Sequence, residues 1–368
     1  MLTRNSIRAG SLKLLKDFER DPESRETIEA QIMSQHETIG PWIMEKQLGV
    51  SRDQWGFWIV REINSPEGKQ YVMKMAYHDA RDDASSQKQG ENLKDEALSY
   101  LFIREVILAK KPYLGLNSCP PRNMYYEETV GDDVTLRFLI MDYVEGTSWA
   151  RVKSTLSIQE NVAIAINVLD CLQALHAERH VFRDLHPDNV MLYKDAGKED
   201  GQYRIKLIDY ESLTRPEIMV TADVAYVANY VSLHVLQTGQ FTPYDDIETV
   251  LYMLDECLRG LRPEYPKIRF TDTRQKGETQ AAFLKKWNDH DDAQNRLLRS
   301  KFEEFYADSP LIELMRKLWS IERPPFKRDK KTWSEIPTLT LHEEVRSKMV
   351  MLMLSRMNLN LGSSCTIS

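Results

Sequence analysis

Cysteine is scarce in this sequence of 368 residues, and the four that occur are far apart, without the spacing of a metal site. They are Cys119, Cys171, Cys257 and Cys365. Such usage argues against a disulfide framework and favours a reducing compartment. Long apolar runs are absent as well: the longest, at 349–354, has six residues, whereas a membrane span needs about twenty. With no secretory leader at the N-terminus, the sequence predicts an intracellular protein, cytoplasmic or nuclear.

An excess of positive charge is also lacking, since 49 Lys and Arg face 56 Asp and Glu and the net charge is −7. A broad nucleic-acid footprint is therefore not indicated, and no nucleic-acid partner is expected. A hydrophobic content of 42% and a charged content of 29% are ordinary for a globular protein with a proper core. The length suggests one large domain or two modest ones.

The most informative stretch runs from Phe182 to Tyr210. Two short apolar segments separated by a polar turn indicate a pair of strands that holds Asp184, Asn189 and Asp209 at one rim. Phosphoryl transfer needs such a trio: one carboxylate orients the attacking hydroxyl and accepts its proton, while an amide and a second carboxylate hold Mg²⁺. The alternative is an ordinary hairpin with surface acids. The five-residue gap from Asp184 to Asn189 favours the first interpretation, because it matches the kinase catalytic-loop signature.

The part before residue 142 indicates a sheet that carries one helix. Strand-like runs lie at 42–44, 57–60, 71–75, 123–126 and 136–141. After a polar insert at 81–90, a helix is predicted over 93–109, with Leu93, Ala97, Leu101 and Leu108 near one face. The polar residues before position 41 are expected to form one or two surface helices.

Beyond Gly146 the pattern becomes mostly helical. Ser157, with Glu160 three residues later, predicts a capping box for a helix that ends near His176. Further helices are predicted over 246–258, 280–305 and 311–319, and the prolines at 324–325 are expected to end the compact part.

This order of elements resembles a protein kinase, and within that superfamily the casein-kinase-one branch with its vaccinia-related kinases. The likeness extends over roughly residues 40 to 325. The matching motifs are a Lys-bearing strand at 71–74, a hinge approach at 137–142, a metal-binding Asp-Tyr at 207–210, and 230–234 followed by 245–249 in place of Ala-Pro-Glu. The resemblance implies an α+β, bilobal protein-kinase-like fold, with a small antiparallel-sheet N-lobe that has one main helix and a larger, mostly helical C-lobe.

The same resemblance implies a division of the chain into four parts. These are an N-terminal helical extension over 1–40, a kinase N-lobe over 41–143, a kinase C-lobe over 144–330 and a C-terminal tail over 331–368.

The resemblance also implies catalytic roles. Lys74 would bridge the α- and β-phosphates of ATP, and Glu96, preferred to Glu91 and Glu105, would pair with it. The alternative for Glu96 is a solvated helix charge. Asp184 would be the catalytic base. Asn189 and Asp209 would bind Mg²⁺, or Mn²⁺ in its place. Asp246 would anchor the catalytic loop from below, unless it simply caps its helix.

A further set of residues is implied for binding the nucleotide. It consists of Gly49, Gly56, Val72, Lys74, Met141, Asp142, Tyr143, Val144 and Leu192. Within this set Met141 is the expected gatekeeper, and Tyr143 and Val144 would offer backbone groups to adenine.

Several positions depart from the kinase pattern. The phosphate loop keeps only Gly49 and Gly56, seven residues apart, so its backbone N–H groups are less able to form a nest. His186 stands where protein kinases commonly have Lys, and Glu211 replaces a Gly. These two are reminiscent of choline kinases and aminoglycoside phosphotransferases. Glu211 would either add a carboxylate to the metal site or lock the segment, and His186 could also be a loop histidine bonded to a carbonyl.

Two neighbours of the catalytic Asp complete the pattern. Phe182 replaces the usual His but remains apolar, so its packing role is expected to survive. Arg183 is kept, and it would meet a phosphate on the activation segment or tie that segment's backbone. Candidate phosphorylation sites are Ser212, Thr214 and Thr221.

The last four residues, from Cys365 to Ser368, match a prenylation pattern that favours farnesyl. A chance match is the alternative, and one lipid alone binds membranes only marginally. Membrane association is expected only if Cys365 is lipidated. The apolar run at 349–354 would either assist it or belong to a helix that covers the kinase body.

These observations favour an ATP- and Mg²⁺-dependent kinase that transfers phosphate to Ser/Thr hydroxyls of a protein substrate. Two alternatives remain open. One is a pseudokinase or scaffold with weak or no catalysis, because the glycine loop is degraded. The other is a small-molecule phosphotransferase like choline or aminoglycoside kinases.

Overall fold

The computed structural model describes residues 38–39, 41–51, 54–63, 68–79, 84–120, 125–130, 134–194, 202–213, 230–238, 241–261, 292–321 and 338–363. The chain divides into two compact units. The first consists of Met1–Ala109 and Asn117–Val144, and the second of Lys110–Leu116 and Glu145–Ser368. The domain limits expected at 40, 143 and 330 stay predictions.

The first unit is built on a six-stranded sheet. Its strands are β1 (Thr38–Ile39), β2 (Trp42–Ser51), β3 (Gln54–Glu62), β4 (Gln70–Asp79), β5 (Tyr125–Val130) and β6 (Val134–Asp142). They pair antiparallel in the order β1-β2-β3-β4-β6-β5. The predicted strands at 42–44, 57–60, 71–75 and 136–141 are confirmed. The fifth predicted strand began at residue 123, but residues 123 and 124 lie outside the described ones.

The described residues of this unit include the helix α1 (Ala84–Phe102), and the chain continues from it as a π-helical segment, Ile103–Leu108. The prediction that the helix begins at Leu93 was wrong, because residues 84–90 of the supposed polar insert already belong to it. Its buried apolar positions are Leu93, Ala97, Tyr100, Ile103 and Ile107. The π segment shifts the register, since the N–H of residue 109 bonds to the carbonyl of residue 104. Of the predicted positions, Leu93 and Ala97 are buried, whereas 101 and 108 are only half-buried.

The second unit is mostly helical. Its helices are α2 (Trp149–Val152), α3 (Ile158–Ala177), α4 (Leu233–Thr238), α5 (Pro243–Arg259), α6 (Asp292–Phe305), α7 (Ile312–Ser320) and α8 (Thr338–Ser363). A three-stranded sheet of β7 (Thr147–Ser148), β8 (Val190–Lys194) and β9 (Tyr203–Leu207) accompanies them. The strands β8 and β9 pair antiparallel, which confirms the strand pair predicted around the catalytic loop. The expected α+β fold, with an antiparallel-sheet first part and a helical second part, is confirmed.

Helix α3 starts at the predicted capping box. The N–H of Glu160 donates to Ser157 Oγ at 3.2 Å, and the N–H of Ser157 donates to Glu160 Oε2 at 2.8 Å. Ser157 Oγ also donates to the same carboxylate. Because two otherwise unpaired helix N–H groups are satisfied here, the start of α3 is fixed at Ile158.

Substituting Ser157→Ala is expected to lower the free energy of unfolding by about 1 kcal/mol at neutral pH. Hydrogen bonds from Ser157 lower the pKa of Glu160. The carboxylate's contribution is therefore fully present above its unfolded-state pKa and is lost as pH falls through the lower folded-state value. Urea unfolding should show a smaller effect of Ser157→Ala in acid than at neutral pH. Ser154→Ala, an exposed serine in the preceding turn, is the control, and equal losses at both pH values would contradict the box.

Helix α5 starts at Pro243, earlier than the predicted Asp246. Thr242 is its N-cap, and the side chain of Asp245 returns to the Thr242 N–H. Gly260 ends the helix with φ 67°, a left-handed conformation that suits glycine. Helix α7 confirms the prediction at 311–319 to within one residue.

Helix α8 packs against α3 and α5. Its Leu341, Val345 and Met349 are buried, whereas Met351 and Leu354 are exposed. The apolar run at 349–354 belongs to this packed helix, as one of the two interpretations proposed, but of its six residues only Met349 is buried. None of the helices among the described residues is long and apolar enough to cross a membrane. Residues 1–37 of the N-terminal extension, residues 280–291 of the helix predicted over 280–305, the prolines at 324–325 and Cys365 lie outside the described residues.

Candidate active site

The first unit contains a buried ion pair. Lys74 lies on β4 and Glu96 on α1, and Lys74 Nζ is 2.6 Å from Glu96 Oε2. Their side chains are only 3% and 1% exposed. Glu105, one of the two alternatives considered from the sequence, is exposed and pairs with Arg104 instead. The ring of Phe57 lies 5.7 Å from Lys74 Nζ. The structure therefore joins Lys74 and Glu96, and the solvated-charge interpretation of Glu96 is wrong.

The glycines expected to hold phosphate lie on β2 and β3. Gly49 is opposite Phe57, and Gly56 is opposite Met75. The register of β2 and β3 shifts on both sides of Gly49, which marks bulges that bend the strand. Gly56 has φ 134°, a conformation that other residues rarely adopt. The residues between 51 and 54 lie outside the described ones, so the form of this loop toward a phosphate stays a prediction.

The expected hinge continues from β6. Met141 is buried, and its Sδ accepts the hydroxyl of Tyr100 at 3.4 Å. Asp142 is held from Asn117 and Ser118: its N–H donates to the Ser118 carbonyl, its carbonyl accepts the Asn117 amide, and its carboxylate accepts the Ser118 hydroxyl. Sequence reasoning missed Tyr100, Asn117 and Ser118 as supports of this segment, because nothing in their local pattern distinguishes them from other helix or loop residues.

Other residues of the expected nucleotide set have simple positions. Val72 on β4 is opposite Ile59 and Met141. Tyr143 and Val144 follow β6 without regular structure and are half-buried. In the second unit, Leu192 on β8 is opposite Thr147 and Ile205 and is buried. Roles toward adenine stay predictions for all of them.

The second unit holds the catalytic loop by its backbone. The N–H groups of Phe182 and Arg183 donate to the two carboxylate oxygens of Asp246, at 2.7 and 2.9 Å. Thr242 and Asp245 form the capping box of α5. The prediction that Asp246 anchors the loop is therefore confirmed. Arg183 has φ 74°, and the two hydrogen bonds hold this unfavourable backbone immediately before Asp184.

Asp184 and Asn189 are joined within that loop. Asn189 Nδ2 donates to the backbone carbonyl of Asp184 at 2.9 Å. With the amide nitrogen fixed in this way, the amide oxygen is the group that Asn189 can offer a cation. The N–H of Ile208 donates to the Asn189 carbonyl at 3.0 Å, so Asp209, the next residue, begins at the same rim. The backbone of Asp209 has φ 64°, which Asp tolerates better than most residues.

Two aromatic residues brace this rim from inside. The rings of Phe182 and Tyr210 meet edge to face with centroids 5.7 Å apart, and both are buried. The hydroxyl of Tyr210 donates to the Leu207 carbonyl. The prediction that Phe182 keeps an internal packing role is confirmed.

His186 lies among carboxylates without a short contact to those of Asp184 and Asp188. Its Nε2 is 3.9 Å from Asp184 Oδ2, and its Nδ1 is 3.9 Å from Asp188 Oδ2. Burial lowers the pKa of His186, while Asp188 and Asp209 oppose that shift. The imidazole is therefore neutral at pH 7, unlike the Lys that it replaces. Glu211 is exposed in the turn after Tyr210.

Arg183 is buried with its guanidinium 5.0 Å from the centroid of the Phe241 ring. Burial lowers its pKa to about 10, and Asp246 and Asp184 act in the opposite direction. It therefore stays cationic at neutral pH. Ser212 is half-buried, whereas Thr214 and Thr221 lie outside the described residues. The choice between a phosphate contact and a backbone tie stays open.

The donor set of the second unit fits a hard divalent cation, since an amide oxygen and a carboxylate are groups that Mg²⁺ accepts. Asn189 and Asp209 would hold it. The first unit offers the buried Lys74–Glu96 pair, which suits an anionic ligand such as a polyphosphate.

Comparison with known proteins agrees with this chemistry. A family model described as "Protein kinase domain" matches residues 121–329. The chain is 25% identical over 134 residues to a "Probable serine/threonine-protein kinase pknA2" of Bifidobacterium longum, covering 35% of this chain and 17% of that protein. It is 23% identical over 257 residues to the "Inhibitor of nuclear factor kappa-B kinase subunit beta" of Bos taurus, covering 66% of this chain and 31% of that protein.

A third relative is the "Serine/threonine-protein kinase PKH2" of Saccharomyces cerevisiae, 27% identical over 187 residues, with 46% of this chain and 16% of that protein covered. The matches thus span less than a third of the length of these relatives. The family match covers more than half of this chain, and it includes Asp184, Asn189, Asp209 and Asp246. The chain belongs to the protein kinase domain family.

Proposed function

We propose that this chain is an ATP- and Mg²⁺-dependent kinase that phosphorylates Ser and Thr hydroxyls of proteins, in a branch similar to casein kinase one and the vaccinia-related kinases. The observation that carries the proposal is the buried Lys74–Glu96 ion pair. Burying two opposite charges is costly and adds little stability compared with apolar residues. Its retention in a fully enclosed position supports a catalytic use of the lysine, which a scaffold would not need.

The residues have distinct tasks in this proposal. Lys74 binds the α- and β-phosphates, and Glu96 holds the ammonium in position. Asn189 and Asp209 bind the divalent ion, which supplies neutralisation of phosphate charge. Asp184 orients the acceptor hydroxyl and takes its proton as the oxygen–phosphorus bond forms and the bond from the γ-phosphorus to the bridging oxygen breaks.

A contact between two motif segments supports a protein substrate rather than a small molecule. Ser232 Oγ donates to Asp245 Oδ1, and the N–H of Leu233 donates to Glu248 Oε1 at 2.7 Å. By the resemblance, the two segments together stand in place of Ala-Pro-Glu, as in the casein-kinase-one and vaccinia-related kinases. These two hydrogen bonds tie the buried residues Ser232 and Leu233 to helix α5, which contains Asp245 and Glu248.

Ligand binding gives the first test. A ligand that binds only the folded protein stabilises it by about 2.7 kcal/mol at 100 times its dissociation constant. Thermal unfolding should therefore shift upward when ATP is titrated with Mg²⁺ or Mn²⁺, and less with ATP in EDTA. No shift at millimolar ATP with either ion would contradict the proposal.

The acceptor gives the second test. With γ-labelled ATP, we expect label in serine and threonine of the chain itself and of generic protein acceptors. Binding of ATP without transfer would identify a pseudokinase. Label in choline or aminosugars, with none in protein, would identify a small-molecule phosphotransferase.

The proposed location is intracellular, with membrane association only if Cys365 is farnesylated. The match of residues Cys365 to Ser368 to the prenylation pattern supports farnesylation. Mass spectrometry of the C-terminal peptide from eukaryotic cells would show the added lipid, and an unmodified peptide would contradict it.

A further inference from the structure

Three helices of the second unit meet at a chain of buried polar side chains. His176 of α3 is hydrogen-bonded through Nε2 to Asp246 Oδ2 of α5, at 2.9 Å, and through Nδ1 to His342 Nε2 of α8, at 2.9 Å. All three residues are at most 3% exposed. His176 and His342 are 166 positions apart in the sequence, and α8 lies beyond the residues that match the kinase family model.

Hydrogen-bond accounting gives the direction of this chain. The Asp246 carboxylate is an acceptor that already receives the N–H groups of Phe182 and Arg183, so His176 donates to it from Nε2. A neutral imidazole then has Nδ1 as an acceptor, and His342 donates to that nitrogen from its own Nε2. Among the described residues, His342 Nδ1 has no hydrogen-bond partner. An unpaired lone pair there is compatible with this tautomer, whereas the opposite one would bury an unpaired N–H.

The protonation of His342 limits it to two tautomers. Burial lowers the pKa of His342 to about 2, and the neighbouring His176 acts in the same direction. The imidazole is therefore neutral and has one N–H, which the unpartnered Nδ1 assigns to Nε2.

Packing alone does not explain an imidazole at this position. The apolar contacts of α8 come from Leu341, Val345 and Met349, which are buried on the same side of the helix. A buried polar group is costly unless it is hydrogen-bonded, and an apolar side chain of similar volume would pack at lower cost. The histidine is therefore explained by what its N–H holds.

What it holds is the orientation of the loop anchor. The second hydrogen bond of an imidazole fixes both its tautomer and the angle of its ring. His342 thus fixes His176, and His176 fixes one oxygen of Asp246. Asp246 holds the N–H groups of Phe182 and Arg183, which lead into the left-handed backbone of Arg183. Asp184 follows directly.

We propose that His342 is a positioning residue for the catalytic loop, so that helix α8 is a working part of the kinase and not only a cover. The catalytic part of this inference rests on the proposed function. The structural part, that His342 holds the Phe182 and Arg183 amides through His176 and Asp246, does not.

The test compares three variants of the full chain. His342→Leu keeps an apolar volume and removes the donor. His342→Gln places an amide N–H near the position of Nε2. Val345→Ala removes buried packing from the next turn of α8 and leaves the histidine chain intact.

Hydrogen exchange measures the structural part without any need for activity. The exchange rates of the Phe182 and Arg183 amides are divided by those of reference amides of α5 at 251–254. This ratio removes any change in exchange that comes from a change in global stability. We expect their relative exchange to rise about tenfold in His342→Leu, the size of one lost hydrogen bond, to return to within about threefold in His342→Gln, and to stay unchanged in Val345→Ala. Unchanged relative exchange in His342→Leu would overturn the inference.

Steady-state kinetics then measures the catalytic part. His342→Leu is expected to lower kcat about tenfold with KM for ATP nearly unchanged, and His342→Gln to restore it. Faster exchange with an unchanged kcat would overturn the positioning role, while an inactive wild type with the expected exchange pattern would contradict only the proposed function.

A measurement on the wild type covers the case in which His342→Leu does not fold. Long-range ¹H–¹⁵N spectra near neutral pH should show both His176 and His342 as Nε2–H tautomers. An Nδ1-protonated form of either ring would overturn the inference.

Discussion

Asp184→Asn is expected to reduce phosphotransfer by about two to four orders of magnitude, the usual contribution of a positioned general base. The amide keeps the volume and the backbone bond from Asn189, which uses the main-chain carbonyl of residue 184, so folding should be retained. ATP-dependent stabilisation is expected to persist, because the proposed ligands of the divalent ion are Asn189 and Asp209. Incorporation of γ-labelled phosphate by the purified chain is the measurement.

Asp188→Asn is the matched control. It removes a carboxylate from the same loop, four positions after Asp184, where the side chain is 67% exposed. We expect nearly wild-type transfer. Equal incorporation by wild type and Asp184→Asn would point to a contaminating kinase and would contradict the role of Asp184.

Lys74→Met is expected to cost both activity and stability. Transfer should fall by about two to three orders of magnitude, because a preorganised charge near the phosphates is lost. The free energy of unfolding should fall by about 3–5 kcal/mol, because the buried Glu96 carboxylate loses its ion pair with Lys74. Kinase assays and urea unfolding measure the two losses separately.

The double variant Lys74→Met with Glu96→Leu separates these effects. With both charges replaced by apolar side chains, stability should return close to the wild-type value, while transfer stays low. Lys110→Met is the control, since Lys110 forms an exposed pair with Glu178 at 3.0 Å, worth at most about 1 kcal/mol. Recovery of activity together with stability in the double variant would contradict a direct role for Lys74.

Local signals in the sequence predicted much of the fold. The strands around Trp42, Trp58 and Met73 were identified because buried apolar runs with aromatic and branched residues favour sheets. The start of α3 was identified from Ser157 and Glu160. The start of α1 was missed because a helix is recognised by its apolar period, and residues 84–90 have none.

The start of α5 was missed for a different reason. Thr242, Pro243 and Asp245 form a helix-start signal that the sequence contains, with Asp in place of the usual Glu or Gln. Asp246 was instead taken as the first helical residue because of its motif. The π-helical segment after Phe102 had no such signal, since one extra residue in a helical turn leaves the composition unchanged.

The candidate site also contains residues that a sequence signal identified and residues that had no such signal. Asp184 and Asn189 could be identified from their five-residue spacing, and Lys74 and Glu96 from the resemblance to protein kinases. The residues that hold these side chains in place could not be identified from the sequence. Ser118 and His342 act through contacts to residues far away in the sequence, and only folding brings such partners together.

The position of α8 also bears on how a shorter form of this kinase behaves. The family match stops at residue 329, before the helix begins at Thr338. A recombinant fragment cut at the family boundary would expose the apolar side of α3 that α8 covers and would leave His176 Nδ1 without its donor. Poor solubility or weak phosphotransfer of such a fragment would therefore reflect a missing structural element and not a property of the 368-residue chain.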